Sequence, residues 1–176
     1  MKRRWLFLSL LSVWLLSACQ ALTTREMDVL EGATLTLREP LTFPAGDTRL
    51  HIQGGETRSY WRINQYQTHC RLELDGAREQ AHTLQPGEFR VARVRYEWDQ
   101  VQHGEQPVMV AGLGAFAGGG ALTSRIEIVV LELDSAEQPE FARVRCMQWM
   151  DPQWARVPTL DEVRGALGER FVLELP

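Results

Sequence analysis

The chain has little lysine and no apolar stretch long enough to span a membrane. Lys2 is its only lysine, which excludes lysine-based catalysis and a lysine-dependent phosphate loop from the rest of the chain. The apolar stretch Trp5 to Leu16 is twelve residues long. A helix of that length rises only about 18 Å, whereas the hydrocarbon core of a bilayer is roughly 30 Å thick. The stretch is therefore too short for a permanent membrane helix.

Histidine is also sparse, and its spacing fits no metal site. The four histidines occur singly, without HxH or HExxH spacing, so a metal site would have to be assembled by the fold alone. No Gly-x-Ser-x-Gly motif is present for a serine nucleophile. We therefore predict no catalytic residue, no metal and no other cofactor. The histidines are His51, His69, His82 and His103.

The N-terminus has the parts of an export signal, namely basic residues at 2–4, an apolar stretch and small residues before a cleavage site. The tetrapeptide Leu16-Ser17-Ala18-Cys19 resembles the lipobox of bacterial lipoproteins. That resemblance implies cleavage before Cys19, a diacylglyceryl group on its thiol and an acylated amine. Two or more acyl chains hold a protein firmly to a membrane, whereas one does not. The alternative is an ordinary signal peptide with a coincidental cysteine.

The residue after Cys19 bears on the destination of the protein. In many Gram-negative lipoproteins an Asp at that position retains the protein in the inner membrane, whereas here the residue is Gln20. The resemblance therefore implies an outer-membrane lipoprotein that faces the periplasm. The resemblance covers only the N-terminus, and residues 20–32 have no clear apolar period. We therefore expect a signal peptide (1–18), a lipidated tether (19–32) and a single β-rich periplasmic domain (33–176).

The charge balance of the processed chain bears on its partners. Without Lys2, Arg3 and Arg4, 16 basic residues remain against 23 acidic ones, which gives a formal charge of −7. This balance argues against nucleic acid as a partner. The expected partners are the membrane, through lipid on Cys19, and an envelope protein or the cell wall.

Alternating apolar and polar residues, separated by turn signals, predict a mainly β fold. We expect an antiparallel sandwich or an open barrel with one short C-terminal α-helix. The run 125–134 is the most apolar and should be a central strand that pairs with 141–147. A change of apolar frame near Ala92 and Arg93 predicts a β-bulge. The predicted strands are 34–38, 48–53, 66–74, 78–84, 88–98, 125–134, 141–147 and 170–175.

The helix is predicted from its end signals. Thr159 follows Pro158 as the N-cap, and Glu162 three residues later is the partner in a capping box. Gly168 ends the apolar stripe of this segment.

Assigning Cys19 to lipid leaves two cysteines, Cys70 and Cys146, in an exported chain. Each shares the apolar face of its strand, so both thiols should point into the core and form a disulfide. In the loop-entropy model such a bridge stabilises the fold by about 4 to 5 kcal/mol. His69 is next to Cys70, but neighbours on a strand point to opposite faces, which argues against a thiol–imidazole pair.

Three other features are candidate sites. The Gly-rich segment 112–121 has neither the following helix nor the lysine of a phosphate loop. We expect it to be a mobile loop or, alternatively, an apolar partner-binding loop.

Four aromatic residues either line a ligand groove or fill the core, which is commoner for aromatics at strand ends. They are Tyr60, Trp61, Trp149 and Trp154. Five arginines form a candidate patch for phosphate or carboxylate groups, or a solvated face paired with Glu73, Glu88 and Glu97. They are Arg90, Arg93, Arg95, Arg143 and Arg145.

These observations favour a membrane-anchored envelope lipoprotein whose β domain binds a partner or has a structural role. Two alternatives remain: a periplasmic hydrolase of cell wall or glycan, which needs converging carboxylates or a histidine, and a carrier of a small ligand or lipid, which needs an apolar cavity.

Overall fold

A computed structural model describes residues 26–103 and 122–176. The signal peptide, Cys19 and the Gly-rich segment 112–121 lie outside the described residues. In the described ranges no helix is both long enough and apolar enough to cross a membrane.

The described residues form ten strands, one α-helix and three short 3₁₀ turns. The turns are Glu26–Leu30, Tyr60–Arg62 and Gly168–Arg170. The α-helix, α1, is Leu160–Leu167. The strands are β1 (Thr34–Leu37), β2 (Leu41–Phe43), β3 (Arg49–Gln53), β4 (Glu56–Arg58), β5 (His69–Leu74), β6 (His82–Leu84), β7 (Gly87–His103), β8 (Leu122–Asp134), β9 (Phe141–Met150) and β10 (Phe171–Glu174).

Eight strands form one antiparallel sheet in the order β10-β1-β7-β8-β9-β5-β3-β4, and β2 pairs with β6 separately. The sheet curls into a half-barrel, and α1 contacts β10 at one edge as well as β3 and β5 towards the other. The helix therefore spans the open side of the half-barrel. The predicted class, mainly β with one short C-terminal helix, is confirmed, and the arrangement is an open barrel.

Several details of the sheet match the sequence pattern. β8 lies in the interior of the sheet between β7 and β9, and it pairs with β9 in a hairpin. The register of β7 against β8 shifts between Val91 and Arg93, which confirms the bulge. The shift moves Val94 and Tyr96 onto the apolar face that Val91 occupies before it.

Several strand boundaries differ from the prediction, and β2 and β4 were not predicted; the differences at β5 and β7 bear on the site. β5 begins at His69 rather than at residue 66, because Asn64 closes a turn: its side chain accepts from the Tyr66 N–H and its carbonyl from the Gln67 N–H. β7 continues to His103, five residues beyond the predicted end.

Apolar side chains are buried on both faces of the sheet. The larger core lies inside the half-barrel and includes Leu35, Phe89, Leu131 and Phe141. Each large side chain buried there contributes roughly 1.5 to 3 kcal/mol. A smaller cluster on the other face contains Ile126, Ile128, Val130 and Met147. We call the face that carries the smaller cluster the second face.

The helix starts as its end signals predict. The Thr159 hydroxyl accepts from the Glu162 N–H at 3.3 Å, and the Glu162 carboxylate accepts from the Thr159 N–H at 2.7 Å. The capping box satisfies two backbone donors that the first turn would leave unpaired. α1 buries Val163, Ala166 and Leu167 against the larger core.

Candidate binding site

The second face carries charged side chains in register across five strands. One row of directly opposed residues runs from β7 to β3 and alternates in sign. Opposite charges in directly opposed positions stabilise a sheet, so this row is electrostatically satisfied. The row is Arg93, Glu132, Arg143, Glu73 and Arg49.

The next row breaks this alternation. Arg145 on β9 lies directly opposite Arg71 on β5, and His51 on β3 lies opposite Arg71 on its other side. Like charges in directly opposed positions destabilise a sheet. The two arginine side chains are only 21% and 18% exposed, so water screens their repulsion incompletely.

Each of the two arginines has one carboxylate neighbour. Arg71 donates from Nε to Glu73 at 2.6 Å, and Arg145 donates from Nη2 to Glu97. The Nε of Arg145 is buried and has no acceptor among the described residues. Burial lowers the pKa of Arg71 from its ordinary value, Glu73 raises it, and Arg145 lowers it again. Both side chains of the pair are therefore partly buried, and Arg145 has a hydrogen-bond donor without an acceptor in the described part of the chain.

A cavity of about 220 Å³ lies beside the second of these rows, on the side away from the first, and its lining includes Arg71 and Arg145. Its polar wall contains Arg71, Arg145, His51, His69 and Asp99. This volume is below the roughly 300 Å³ at which pockets for drug-sized ligands begin. It equals about seven times the volume of a water molecule in the liquid, which suits one small group of a larger ligand.

The rest of the cavity lining is mainly apolar, and we call it the apolar wall. It includes Ile126 and Ile128 from β8, Met147 and Trp149 from β9, and Tyr60. A cavity with one basic wall and one apolar wall suits a ligand group that joins an anion to a hydrocarbon.

Both histidines of the cavity are neutral at pH 7. His69 is 1% exposed, and its Nδ1–H donates to the Gln67 carbonyl at 3.1 Å. Burial lowers the pKa of His69. Burial, followed by the neighbouring Arg71 and His69, lowers the pKa of His51 to about 4. The Nδ1 of His51 is buried without a partner in the described part of the chain.

Several aromatic side chains lie in turns rather than in the core, and one of them, Tyr60, lines the cavity. Trp61 is 89% exposed and Trp154 is 70% exposed. Tyr60 contacts the ring of His51 with centroids 5.6 Å apart, and Tyr66 contacts Trp149 at 6.0 Å. The expectation that aromatics at strand ends fill the core is wrong for Tyr60, Trp61 and Trp154, because they lie in turns that follow the strands and face solvent.

Four of the five arginines predicted as an anion patch lie together on the second face. They contact Glu132, Glu73 and Glu97, each of which serves two arginines. The sequence prediction named Glu88 as a partner of these arginines, but in the structure Glu132 has that role. Arg90 lies beyond the bulge, opposite Asp134. The clustered four are Arg93, Arg95, Arg143 and Arg145.

The sequence prediction missed Arg71, which is central to the cavity. In an antiparallel pair, a disulfide between directly opposed cysteines places the residue after one cysteine opposite the residue before the other. The predicted bridge of Cys70 and Cys146 would have placed Arg71 opposite Arg145 only with the further knowledge that β5 and β9 pair in this register. The bridge is confirmed, and the two cysteines are directly opposed.

A wider groove of about 710 Å³ lies between α1 and the segment around Asn64. Polar side chains that line it are hydrogen-bonded: the Gln53 side chain donates to the Asn64 backbone carbonyl at 2.9 Å, and the Thr68 hydroxyl donates to the Gln148 side-chain oxygen at 2.8 Å. These contacts position the turn that carries Tyr66 beside the cavity.

The cavity lining contains few of the side chains on which hydrolytic catalysis depends. Among the described residues that line it, Asp99 is the only one with a carboxylate, whereas glycoside hydrolysis uses a pair of carboxyl groups. No group of three or more metal-binding side chains occurs within residues 26–103 and 122–176. Compared with family models, curated proteins and solved structures, the chain matches none of them.

Proposed function

We propose that the chain is an envelope lipoprotein, anchored through lipid on Cys19, whose β domain binds a periplasmic partner without catalysing a reaction. The partner is an envelope protein or the cell wall. The observation that carries the binding role is the cavity beside Arg71 and Arg145, which combines surplus hydrogen-bond donors with an apolar wall.

The anchoring part of the proposal is supported by the lipobox-like tetrapeptide and by the disulfide. Disulfides persist in oxidising compartments such as the periplasm and are rare in the cytosol. The bridge of Cys70 and Cys146 is therefore in keeping with export. An exported chain with a cysteine after small residues has a ready site for the lipid.

Each of the two alternative functions needs a feature that the described part of the structure does not show. A hydrolase needs a second carboxylate beside Asp99 or an activated nucleophile. A lipid carrier needs an apolar cavity large enough for an acyl chain, but the interior of the half-barrel is filled by side chains such as Phe89 and Phe141, whose rings are 4.9 Å apart.

Metabolic labelling with a radioactive fatty acid tests the anchor. The full chain should carry the label in the membrane fraction, and Cys19→Ala should lose it. Gln20→Asp should keep the label but move the protein from the outer to the inner membrane. Unlabelled wild-type protein, or label retained in Cys19→Ala, would overturn the anchor.

Photo-crosslinking in intact cells tests the binding role. A photoreactive residue at Trp61, beside the cavity, should give a discrete adduct. The matched control is Val29, which is also exposed but lies in the Glu26–Leu30 turn that packs against β7. Adducts from both sites, or from neither, would contradict binding through the cavity.

A further inference from the structure

We propose that Arg71 and Arg145 form a subsite for the carboxylate at the end of a peptide chain, while the apolar wall takes the adjoining side chain. This inference rests on the binding role proposed for the same cavity and names the chemistry of its ligand. It adds Arg71, His51 and His69 to the arginine patch predicted from the sequence.

The first argument is the direct opposition of the two arginines. β5 and β9 fix this register through a ladder that includes the disulfide one position away, so the arginine backbones cannot separate. Both side chains line the cavity. An anion between them would replace a repulsion with two attractions, which is a common role of paired arginines.

The second argument is the supply of unused donors. Arg145 Nε and His51 Nδ1 are buried without acceptors in the described residues. Arg71 bonds Glu73 through Nε, and its terminal nitrogens make no other hydrogen bond in that part of the chain. Neutral His51, as the Nδ1–H tautomer, also donates. The terminal nitrogens of Arg71 can therefore donate to a carboxylate in the cavity that Arg71 lines, and such charge-assisted hydrogen bonds are stronger than neutral ones.

The third argument selects a singly charged anion. Five arginines contact only three glutamates on this face, which leaves a small positive excess rather than a large one. Asp99 also lines the cavity and opposes a dianion more than a monoanion. A carboxylate is planar and matches the guanidinium fork.

The fourth argument is the apolar wall. Ile126, Ile128 and Met147 are each at most 8% exposed, and together with Trp149 they face the same cavity as the arginines. A free phosphate has no hydrocarbon to place there. The terminal residue of a peptide has a carboxylate and a small side chain on the same carbon, and it fits a cavity of about 220 Å³.

Calorimetric titration of the full, disulfide-bonded chain in detergent tests the proposal with acetyl-alanyl-alanine and its C-terminal amide. The free acid should bind at least tenfold more tightly than the amide, because hydrogen bonds to charged groups contribute about 1.5 to 3 kcal/mol. Equal affinities, no binding of the acid, or tighter binding of inorganic phosphate would overturn it. This comparison uses the unmodified chain and does not depend on any variant folding.

Variants then locate the subsite. Arg71→Gln and Arg145→Gln should each weaken binding of the acid about 10- to 100-fold, with the disulfide and near-ultraviolet circular dichroism unchanged. The control is Arg78→Gln, a half-exposed arginine 4.0 Å from Asp75 and outside the cavity. Unchanged affinity in both cavity variants, in folded protein, would contradict the assignment.

The configuration of the terminal residue distinguishes two sources of the same chemistry. Preference for the L,L-peptide supports a protein C-terminus as the ligand, and preference for the D,D-peptide supports cell-wall peptides, which end in D-residues. Failure of carboxylate binding would leave fatty-acid labelling at Cys19 and the Trp61 adduct intact. The proposed function and the proposed ligand can therefore fail separately.

Discussion

Gly168, at the end of α1, packs backbone against backbone on Gly55, in the turn between β3 and β4. A Cβ atom on Gly168 would lie 2.5 Å from the Gly55 Cα and 2.6 Å from its nitrogen. The Gly55 N–H donates to the Ala166 carbonyl at 3.1 Å. This contact closes the half-barrel, because it joins the helix to the strands that lie far from β10 in the sheet.

We predict that Gly168→Ala destabilises the fold by at least about 2 kcal/mol, because its φ of +61° is strained for alanine and the added methyl group meets backbone. Gly165→Ala is the matched control: it lies inside α1 with nothing within 4 Å of an added Cβ. It should stabilise by about 0.5 to 1 kcal/mol. Urea unfolding of both variants measures the difference, and equal stabilities would contradict this packing.

A second prediction concerns the disulfide. Both cysteines are fully buried in the larger core, and the bridge joins residues separated by 76 positions. Replacing Cys70 and Cys146 together with alanine should lower the free energy of unfolding by about 2 to 5 kcal/mol. Cys19→Ala should leave it unchanged. Rapid alkylation of both thiols in the folded, exported protein would show that the bridge does not form there.

The features predictable from sequence are those carried by local pattern. The alternation of apolar and polar residues around Cys70 and Cys146 predicted that both side chains point into the core. The end signals at Thr159 and Gly168 predicted where the helix begins and ends. The apolar run of β8 predicted its position in the interior of the sheet. In each case the determining residues lie within one element.

The binding cavity depends on relations that no local pattern contains. Arg71 meets Arg145 only because β5 pairs with β9 in one register, and Gly55 meets Gly168 only after the sheet curls. Tyr60 lies beside His51 because the chain turns back after β4. Predicting the candidate site would therefore have required the order of the strands in the sheet. From the sequence, only the pairing of strands that are adjacent in the chain could be inferred.

A third prediction concerns the charge on Glu162. Arg156 donates two hydrogen bonds to its carboxylate, at 2.6 and 2.8 Å. Arg156, followed by the backbone of Thr159, lowers the pKa of Glu162 to about 2, against an opposing effect of burial. Because the folded state has the lower pKa, this stabilisation is complete above the ordinary value near 4.5 and is lost as the pH falls towards 2.

Glu162→Gln should therefore be less stable than wild type at pH 6, by less than about 1 kcal/mol because the carboxylate is partly solvated, and the two should converge near pH 2. Gly165→Ala is the control, since it changes no titratable group and its added Cβ meets nothing within 4 Å. Its stability relative to wild type should be the same at both pH values. A pH-independent gap for Glu162→Gln, measured by urea unfolding, would count against the ion pair.

A fourth prediction concerns the pKa of His51. Burial lowers this pKa to about 4, together with the neighbouring side chains of Arg71, His69 and Arg49, and Glu73 opposes the shift. Above pH 6.5 the ring is neutral in both the folded and unfolded states. Between pH 6.5 and about 4 the unfolded chain takes up a proton that the folded chain refuses, so stability falls as the pH is lowered. In His51→Gln, the slope of the free energy of unfolding against pH should be smaller by the equivalent of up to one bound proton.

Nuclear magnetic resonance of the folded protein should place the titration midpoint of the His51 imidazole near pH 4. A midpoint near 6.5 would mean that the cavity does not bury this ring. Because a bound carboxylate would offset the arginines, saturating acetyl-alanyl-alanine should raise that midpoint, whereas its amide should not.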